Sequence, residues 1–265
     1  MEFEEYRIMY EAEDSHWWYH GLRSVMFTLL DLKPRAGTDC QPRILDAGCG
    51  TGGNLHALRR AGYANAEGFD YSPIALEFCK LRGLDNVRYG SITDIPFEDC
   101  TFDIVISCDV VTDTGTKDEA KAYEELLRVL KPGGRLFLNA PAFEFLRSEH
   151  DRATDVARRY TRRELKRKLA DAGFRIGRVT YWNMLLFPAV VAVRLGRRER
   201  PEDLARPARS DIMLPPAPIN ALLSALMSVE SIAIRWVDLP LGSSVAALAY
   251  KPTGRGTKLV ERTRR

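Results

Sequence analysis

The run Ile44-Leu45-Asp46-Ala47-Gly48-Cys49-Gly50-Thr51-Gly52-Gly53 constrains this chain more than any other stretch. An apolar segment ending in glycines reads as a buried strand that turns sharply and enters a helix near Asn54. Glycine tolerates left-handed backbone and lets a ligand approach the main chain. The helix N-terminus that follows offers unpaired N–H groups to a carboxylate or phosphate. The spacing Gly48-x-Gly50-x-x-Gly53 also fits a dinucleotide turn, a weak signal alone. A turn with purely structural duty is the plain alternative.

Around this run, apolar segments alternate with helical patterns. Strands are predicted at 43–48, 66–70, 87–89, 102–108, 135–139, 175–182 and 244–250, and helices at 54–61, 73–81, 117–130 and 161–172. Lys131-Pro132-Gly133-Gly134 reads as a stop between helix and strand, and Thr161 with Glu164 as a helix cap. Such alternation demands an α/β fold, a largely parallel, doubly wound sheet with helices on both faces. Residues 1–40 are predicted to be a helical segment outside the core, with the aromatic cluster His16-Trp17-Trp18-Tyr19-His20. The core is assigned to 41–182 and 243–252. Between its halves, 183–242 comprises an apolar run, a Pro- and Arg-rich linker and an amphipathic helix at 219–237. A basic tail from 253 is expected to be disordered.

With 265 residues, 45% apolar and 28% charged, and a net charge of +3, neither a disordered chain nor a histone-like base fits. Charge is uneven: residues 1–14 hold six acids against Arg7, and 152–168 hold eight bases against Asp155 and Glu164. These segments could meet each other, or the basic parts could face anions. Five cysteines form no CxxC pair and no metal spacing, so no metal and a cytoplasmic location are expected. No signal peptide is readable, and the longest apolar run, Met184–Val193, is short of the roughly 20 residues of a spanning helix.

Asp46 separates the readings of the glycine turn. An anion there is unfavourable beside a pyrophosphate and suits a ligand bearing an ammonium and a sulfonium. Asp46-x-Gly48-x-Gly50-x-Gly52 after a strand resembles motif I of class I S-adenosylmethionine-dependent methyltransferases, of a bacterial small-molecule type. The resemblance covers 43–141 and continues more loosely to 182 and 244–251. It implies a Rossmann-like sheet of strand order 3-2-1-4-5-7-6 with strand 7 antiparallel. It also implies S-adenosylmethionine as cofactor and S-adenosylhomocysteine as product. The cofactor would be held by Asp46, Gly48, Cys49, Gly50 and Gly52. Asp70 and Tyr71 would meet the ribose, and Cys108 would offer its carbonyl. Gly90-Ser91-Ile92-Thr93-Asp94-Ile95-Pro96-Phe97 resembles the family's adenine segment, with Ser91 where an Asp is usual, so Ser91 and Ile92 are assigned there. Arg23 is a candidate for the cofactor carboxylate.

In many relatives a Glu-His pair follows the fourth strand, whereas this chain has Thr112-Asp113. Asp109, at the carboxyl edge of the sheet, is a catalytic candidate or a loop cap. Pro141-Ala142, Glu149-His150-Asp151 and Arg158-Arg159-Tyr160-Thr161 resemble a bacterial subgroup, and His150 is the candidate base or a solvated loop residue. Trp17, Trp18, Tyr19 and His20 are assigned to the acceptor, or else dock the helix. Residues 1–40 and 183–242 are the material of a lid, the alternative for 183–242 being a homodimer contact.

The expected reaction is in-line methyl transfer to a small, partly apolar acceptor. The alternative is a peripheral membrane or partner-docked methyltransferase for lipid-linked substrates. No nucleic-acid partner is expected, because Asn139-Ala140-Pro141-Ala142 departs from the signature that holds a flipped base. An NAD-dependent oxidoreductase is the remote alternative.

Overall fold

The computed structural model describes residues 1–34, 41–113, 115–116, 118–196, 208 and 210–253. The segment expected to be a disordered tail lies outside them from 254 onward, as does Cys40. Two helices open the chain, α1 (Phe3–Glu13) and α2 (Trp17–Leu29). The core then runs β1 (Ile44–Ala47), α3 (Gly53–Arg60), β2 (Ala66–Asp70), α4 (Pro73–Leu81), β3 (Val87–Tyr89), β4 (Phe102–Cys108), α5 (Glu119–Val129) and β5 (Leu130–Pro141). It continues through α6 (Glu149–Ala153), α7 (Arg162–Asp171), β6 (Arg175–Trp182), α8 (Phe187–Gly196), α9 (Ala217–Ile234) and β7 (Ser244–Tyr250). The sheet order is β3-β2-β1-β4-β5-β7-β6, with β7 antiparallel to both neighbours, as expected.

Both faces of the sheet are covered, so its central strands are apolar on both sides. Leu45 and Ala47 of β1 join the layer that includes Val105, Leu126 and Leu165. Ile44 joins the opposite layer with Leu22, Met26, Leu55 and Trp182. Because side chains alternate along a strand, Asp46 lies on the Ile44 side, beneath the N-terminal helices.

Several sequence expectations change in detail. The Lys131–Gly134 stop is absorbed into β5: Leu130 pairs with Phe102, and a register shift follows between Phe102 and Ile104. Gly133, at φ 81°, lets the strand bulge and continue, its N–H donating to Lys251 O (2.9 Å). His150 is on α6 rather than in a loop, because Ser148 and Asp151 cap a helical turn reciprocally. The predicted Thr161–Glu164 cap forms, Thr161 N donating to Glu164 Oε2 (2.8 Å). The acids Glu13 and Asp14 meet Arg82 at the C-cap of α4, while the Met1 ammonium pairs with Asp155 in the stretch 152–168, whose Arg158 and Lys168 pair with Glu119.

The amphipathic helix predicted at 219–237 forms as α9, whose apolar sequence is interrupted by Asn220, serines and Glu230. By length and composition α9 is apolar enough to cross a membrane. Here it folds back on α2: Met227 lies against Gly21, where a Cβ would come within 3.0 Å of Met227 Cγ. The Glu230 carboxylate accepts the N–H groups of Asn183, Met184 and Leu185.

Helix α1 has only a small apolar footing, Tyr6 with Ala75 and Phe78. Arg82 supplies the rest. Its guanidinium is almost wholly buried, pairs with Glu13 (3.0 Å) and Asp14 (2.7 Å), and donates to Tyr10 O and Thr51 O. It also stacks 4.4 Å from the Tyr10 ring centroid. Removing one partner from such a buried pair typically costs about 3–5 kcal/mol. Arg82→Met is therefore expected to release α1 while the sheet holds. Hydrogen exchange checks this: amides of 3–13 should lose protection, and those of β4 and β5 should keep it. Unchanged protection in α1 would contradict the assignment.

Candidate functional site

The turn after β1 is built as a cradle. Gly48, Gly50 and Gly52 all take left-handed backbone, at φ 78°, 53° and 85°. At Gly48 a Cβ would also sit 2.4 Å from Val110 Cγ2, so only glycine fits. Phe69 O accepts from both Gly48 N (3.0 Å) and Cys49 N (2.9 Å), tying the turn to β2. Asp70, at the end of β2, accepts from Gly50 N (2.8 Å) and Ser72 N (2.9 Å).

Three carboxylates converge on this turn. Glu13 reaches from α1 to the start of α3, accepting from the Thr51 hydroxyl and pairing with Arg82. A Cβ on Gly53 would lie 2.5 Å from its carboxyl carbon, so this glycine is what admits Glu13. Asp46 is buried, and among the described residues neither of its carboxylate oxygens has a hydrogen-bond partner within bonding geometry. Burial pushes all three carboxyls above their usual range, and on Asp46 the neighbours Glu13 and Asp70 add to the effect while the nearby Asn54 amide opposes it. A buried, unpaired carboxylate is costly to keep charged and matches a cationic ligand.

Beside the turn lies a cavity of about 360 Å³, within the range of small-molecule sites. Its lining brings together most of the sequence candidates: Gly48, Cys49, Gly50, Asp70, Tyr71 and Cys108 at the glycine turn, with Asp109 at the carboxyl edge. Trp17, Trp18, Tyr19 and His150 contribute from the helices outside the sheet. Other candidates fall outside the lining. Ser91 engages Thr93 through its hydroxyl (2.9 Å), and Ile92 is buried in the core. His20 faces α9, its Nε2 at 3.0 Å from Ser228 Oγ. Arg23 donates to Glu13 O (2.5 Å), and its buried Nη1 has no partner among the described residues. Asp46 and Gly52 shape the turn from behind.

Asp109 holds left-handed backbone at φ 63°, uncommon for a residue with a side chain. Its two carboxylate oxygens lie 3.0 and 3.2 Å from Asn139 Nδ2. Trp182 Nε1 donates to Asn139 Oδ1 (2.7 Å), which orients the Asn139 amide so that its NH2 must face Asp109. Burial outweighs this hydrogen bond, and the Asp109 carboxyl is pushed up to about 7. His150 is shifted the other way, burial holding its imidazole below the usual range. The Asp211 N–H donates to His150 Nδ1 (3.2 Å), so the lone pair on that nitrogen is already engaged.

Sequence reasoning missed two groups here. Glu13 sits in an acidic run with nothing to single it out. Asn183 lines the cavity, is buried at φ 62°, donates to Ser243 Oγ (2.7 Å) and leaves Oδ1 without a partner. Its signal was an asparagine directly after a strand, a residue type that tolerates left-handed backbone.

Comparison with known proteins agrees with this geometry. Residues 45–138 match the family described as a methyltransferase domain. The chain is similar to the phthiotriol/phenolphthiotriol dimycocerosates methyltransferase 1 of Mycobacterium ulcerans, 33% identical over 46% of this chain and 47% of that protein. It is likewise similar to the 24-methylenesterol C-methyltransferase 3 of Arabidopsis thaliana, 31% identical over 62% of this chain and 44% of the relative. The chain thus spans about half the length of these curated relatives. Among solved structures, a chain from the complex of the Haloferax volcanii Trm112 methyltransferase activator with a methyltransferase matches at TM-score 0.57. The two are 19% identical over 94% of this chain and 96% of that one. The geranyl diphosphate C-methyltransferase of Streptomyces coelicolor A3(2), solved with S-adenosyl-L-homocysteine, matches at 0.52 and 22% identity, over 86% and 78%. Residues 45–138 thus match a methyltransferase domain, and the strand order and the glycine turn closed by Asp70 agree with the fold of the class I S-adenosylmethionine-dependent methyltransferases that the sequence resembles.

Proposed function

We propose that this chain transfers a methyl group from S-adenosylmethionine to a small, partly apolar acceptor bearing a hydroxyl, in the cytoplasm. The observation that carries the reading is one cavity in which the glycine turn and Asp70 meet an apolar wall and an unusual carboxyl. The wall comprises Trp17, Trp18, Leu22, Leu146 and Val190, and the carboxyl is Asp109. The names of relatives support an apolar acceptor: phthiotriol dimycocerosates, 24-methylenesterol and demethylmenaquinone are what those proteins are named for.

Bound in this cradle, the cofactor would supply an electrophilic methyl on a sulfonium. The turn Gly48–Gly50 would hold its cationic end, with the buried Asp46 carboxyl adding negative charge from behind the turn. Asp70, already hydrogen-bonded on each oxygen, has lone pairs left for ribose hydroxyls. The apolar wall excludes water from the reacting groups. Asn183 Oδ1 is a free acceptor for a donor on the incoming molecule, and Trp17 and Trp18 flank it from α2. Asp109 is assigned as the general base, receiving the acceptor's hydroxyl proton, because a carboxyl ionising near neutrality is matched to that task. His150 is assigned a lining role, since its Nδ1 is engaged by Asp211. Aligning acceptor and methyl does most of the work, as for any bimolecular displacement.

The cofactor assignment is tested by calorimetry. Asp70→Ala should weaken S-adenosylmethionine binding by roughly 1.5–3 kcal/mol, the scale of hydrogen bonds to a charged group. Unchanged affinity would remove Asp70 from the site. For the base, kcat/KM against pH reports free-enzyme ionisations. With hydroxyl acceptors screened by S-adenosylhomocysteine release, the rate should rise with pH and level off above about 7, where Asp109 is ionised. Asp109→Asn should lose about 10²–10⁴-fold in rate and leave cofactor affinity intact. A profile that keeps its inflection in Asp109→Asn, and loses it in His150→Ala, would transfer the role to His150.

A further inference from the structure

Asp109 is held by more groups than the end of a strand requires. Its left-handed backbone is fixed from both sides, the N–H donating to Asn139 O (3.0 Å) and the carbonyl accepting from the Thr112 hydroxyl (2.7 Å). Strained backbone persists where its surroundings over-determine it in this way. Among the described residues, the hydrogen bonds that the Asp109 carboxyl receives come from one group, the Asn139 amide, whose Nδ2 reaches both oxygens. Asn139 therefore grips Asp109 twice, through its own backbone and through its side chain.

The orientation of that amide is not its own. Asn139 is wholly buried, and an amide can present either its oxygen or its NH2 to a neighbour. The indole of Trp182, also wholly buried, is a donor only, so it takes Oδ1 and leaves the NH2 to Asp109. Trp182 packs in turn on Trp18 of α2, with ring centroids 5.4 Å apart, and Trp18 lines the cavity. A chain of contacts thus runs from the apolar wall through Trp182 and Asn139 to the carboxyl. The charged neighbours do not replace Asn139. Arg159 commits Nε and Nη2 to Asp151 (3.0 Å each) and Nη1 to Ala142 O (3.0 Å), and the Asp151 charge opposes its effect on Asp109. The Tyr19 phenol on α2 and the Cys108 thiol on β4 also sense Asp109, and burial keeps both of them neutral.

We propose that Asn139 and Trp182 are positioning residues for methyl transfer: Trp182 fixes which end of the Asn139 amide faces Asp109, and that amide holds the carboxyl aligned as a carboxylate, with lone pairs left for the acceptor's proton. This rests on the reading of Asp109 as the base. Its sign is fixed by the donor. An N–H stabilises a carboxylate over a carboxyl, so losing Asn139 raises the pH at which Asp109 ionises. Losing the Trp182 donor acts in the same direction, because the released amide can turn Oδ1 to accept from a protonated Asp109.

The test is a carbon-13 NMR titration of the Asp109 carboxyl in the full chain, its resonance assigned by comparison with Asp109→Asn. The wild-type inflection should lie at about 7. Asn139→Leu should move it up by about one pH unit or more, the scale of a hydrogen bond to a charged group, and Trp182→Phe should move it up by less. Leu138→Ala is the control for loosened packing. Leu138 is buried at the adjacent position of β5 and faces the opposite layer, so its truncation should lower the melting temperature and leave the inflection in place. Turnover of a hydroxyl acceptor gives a second readout: Asn139→Leu should lose rate at neutral pH and regain it in alkali, as the shifted carboxyl ionises. An inflection unmoved in both Asn139→Leu and Trp182→Phe, or moved as far by Leu138→Ala, overturns the proposal. Should Asn139→Leu fail to fold, Trp182→Phe against Leu138→Ala decides by the same criterion. An inflection that moves while the pH–rate profile does not follow it leaves the hold on Asp109 standing and removes Asp109 as the base.

Discussion

Three carboxylates crowd one glycine turn, and among the described residues the one held in an ion pair is Glu13. Glu13 has Arg82 and the Thr51 hydroxyl, and Asp70 has two backbone N–H groups, while among the described residues Asp46 has no hydrogen-bond partner on either oxygen. Leaving a buried charge unpaired is costly, so Asp46 takes up a proton or waits for a cation. The rest of the site depends on this arrangement. The turn must be glycine to bring backbone and carboxylates together, α1 must lie over it to bring Glu13, and Arg82 must hold α1 in place.

The opposite edge of the cavity has a different logic. There Asn139 is fixed between Trp182 and Asp109, and the strained backbone at Asp109 and Asn183 aims both side chains at the same space. Burial raises Asp109 to about 7, and it raises Asp46 as well, where the neighbouring carboxylates Glu13 and Asp70 add to it. One end of the cavity is thus suited to a positive charge and the other to proton transfer, with Trp17 and Trp18 flanking the site.

How much of this was legible in the sequence follows from the range of the interactions. The sheet, its order and the glycine turn are encoded in local patterns, the apolar runs at 44–47 and 102–108 and the turn residues between them, and the family resemblance set the strand order. Asp70 was placed because its spacing from Gly50 is a local property of a strand–helix–strand unit. Glu13 and Arg82 were invisible because they are 69 positions apart and carry no periodic signal. Ser91 was placed by resemblance alone, and the hydroxyl instead closes a turn with Thr93. The helical boundary of α6 was missed because it depends on one reciprocal cap, Ser148 with Asp151, in a segment of mixed polarity.

The central claim is that the glycine turn and its carboxylates form a site for a cationic cofactor. Titration calorimetry of S-adenosylmethionine at pH 7, in phosphate and in Tris, tests it by counting protons. A cation that binds beside carboxyls raised by burial pulls their ionisation back down, so protons leave as it binds and affinity rises with pH. The account predicts binding whose heat differs between the two buffers in the sense of proton release, with a smaller release for S-adenosylhomocysteine and for Asp46→Asn. Absence of binding, or binding with the same heat in both buffers for wild type and Asp46→Asn alike, would contradict it.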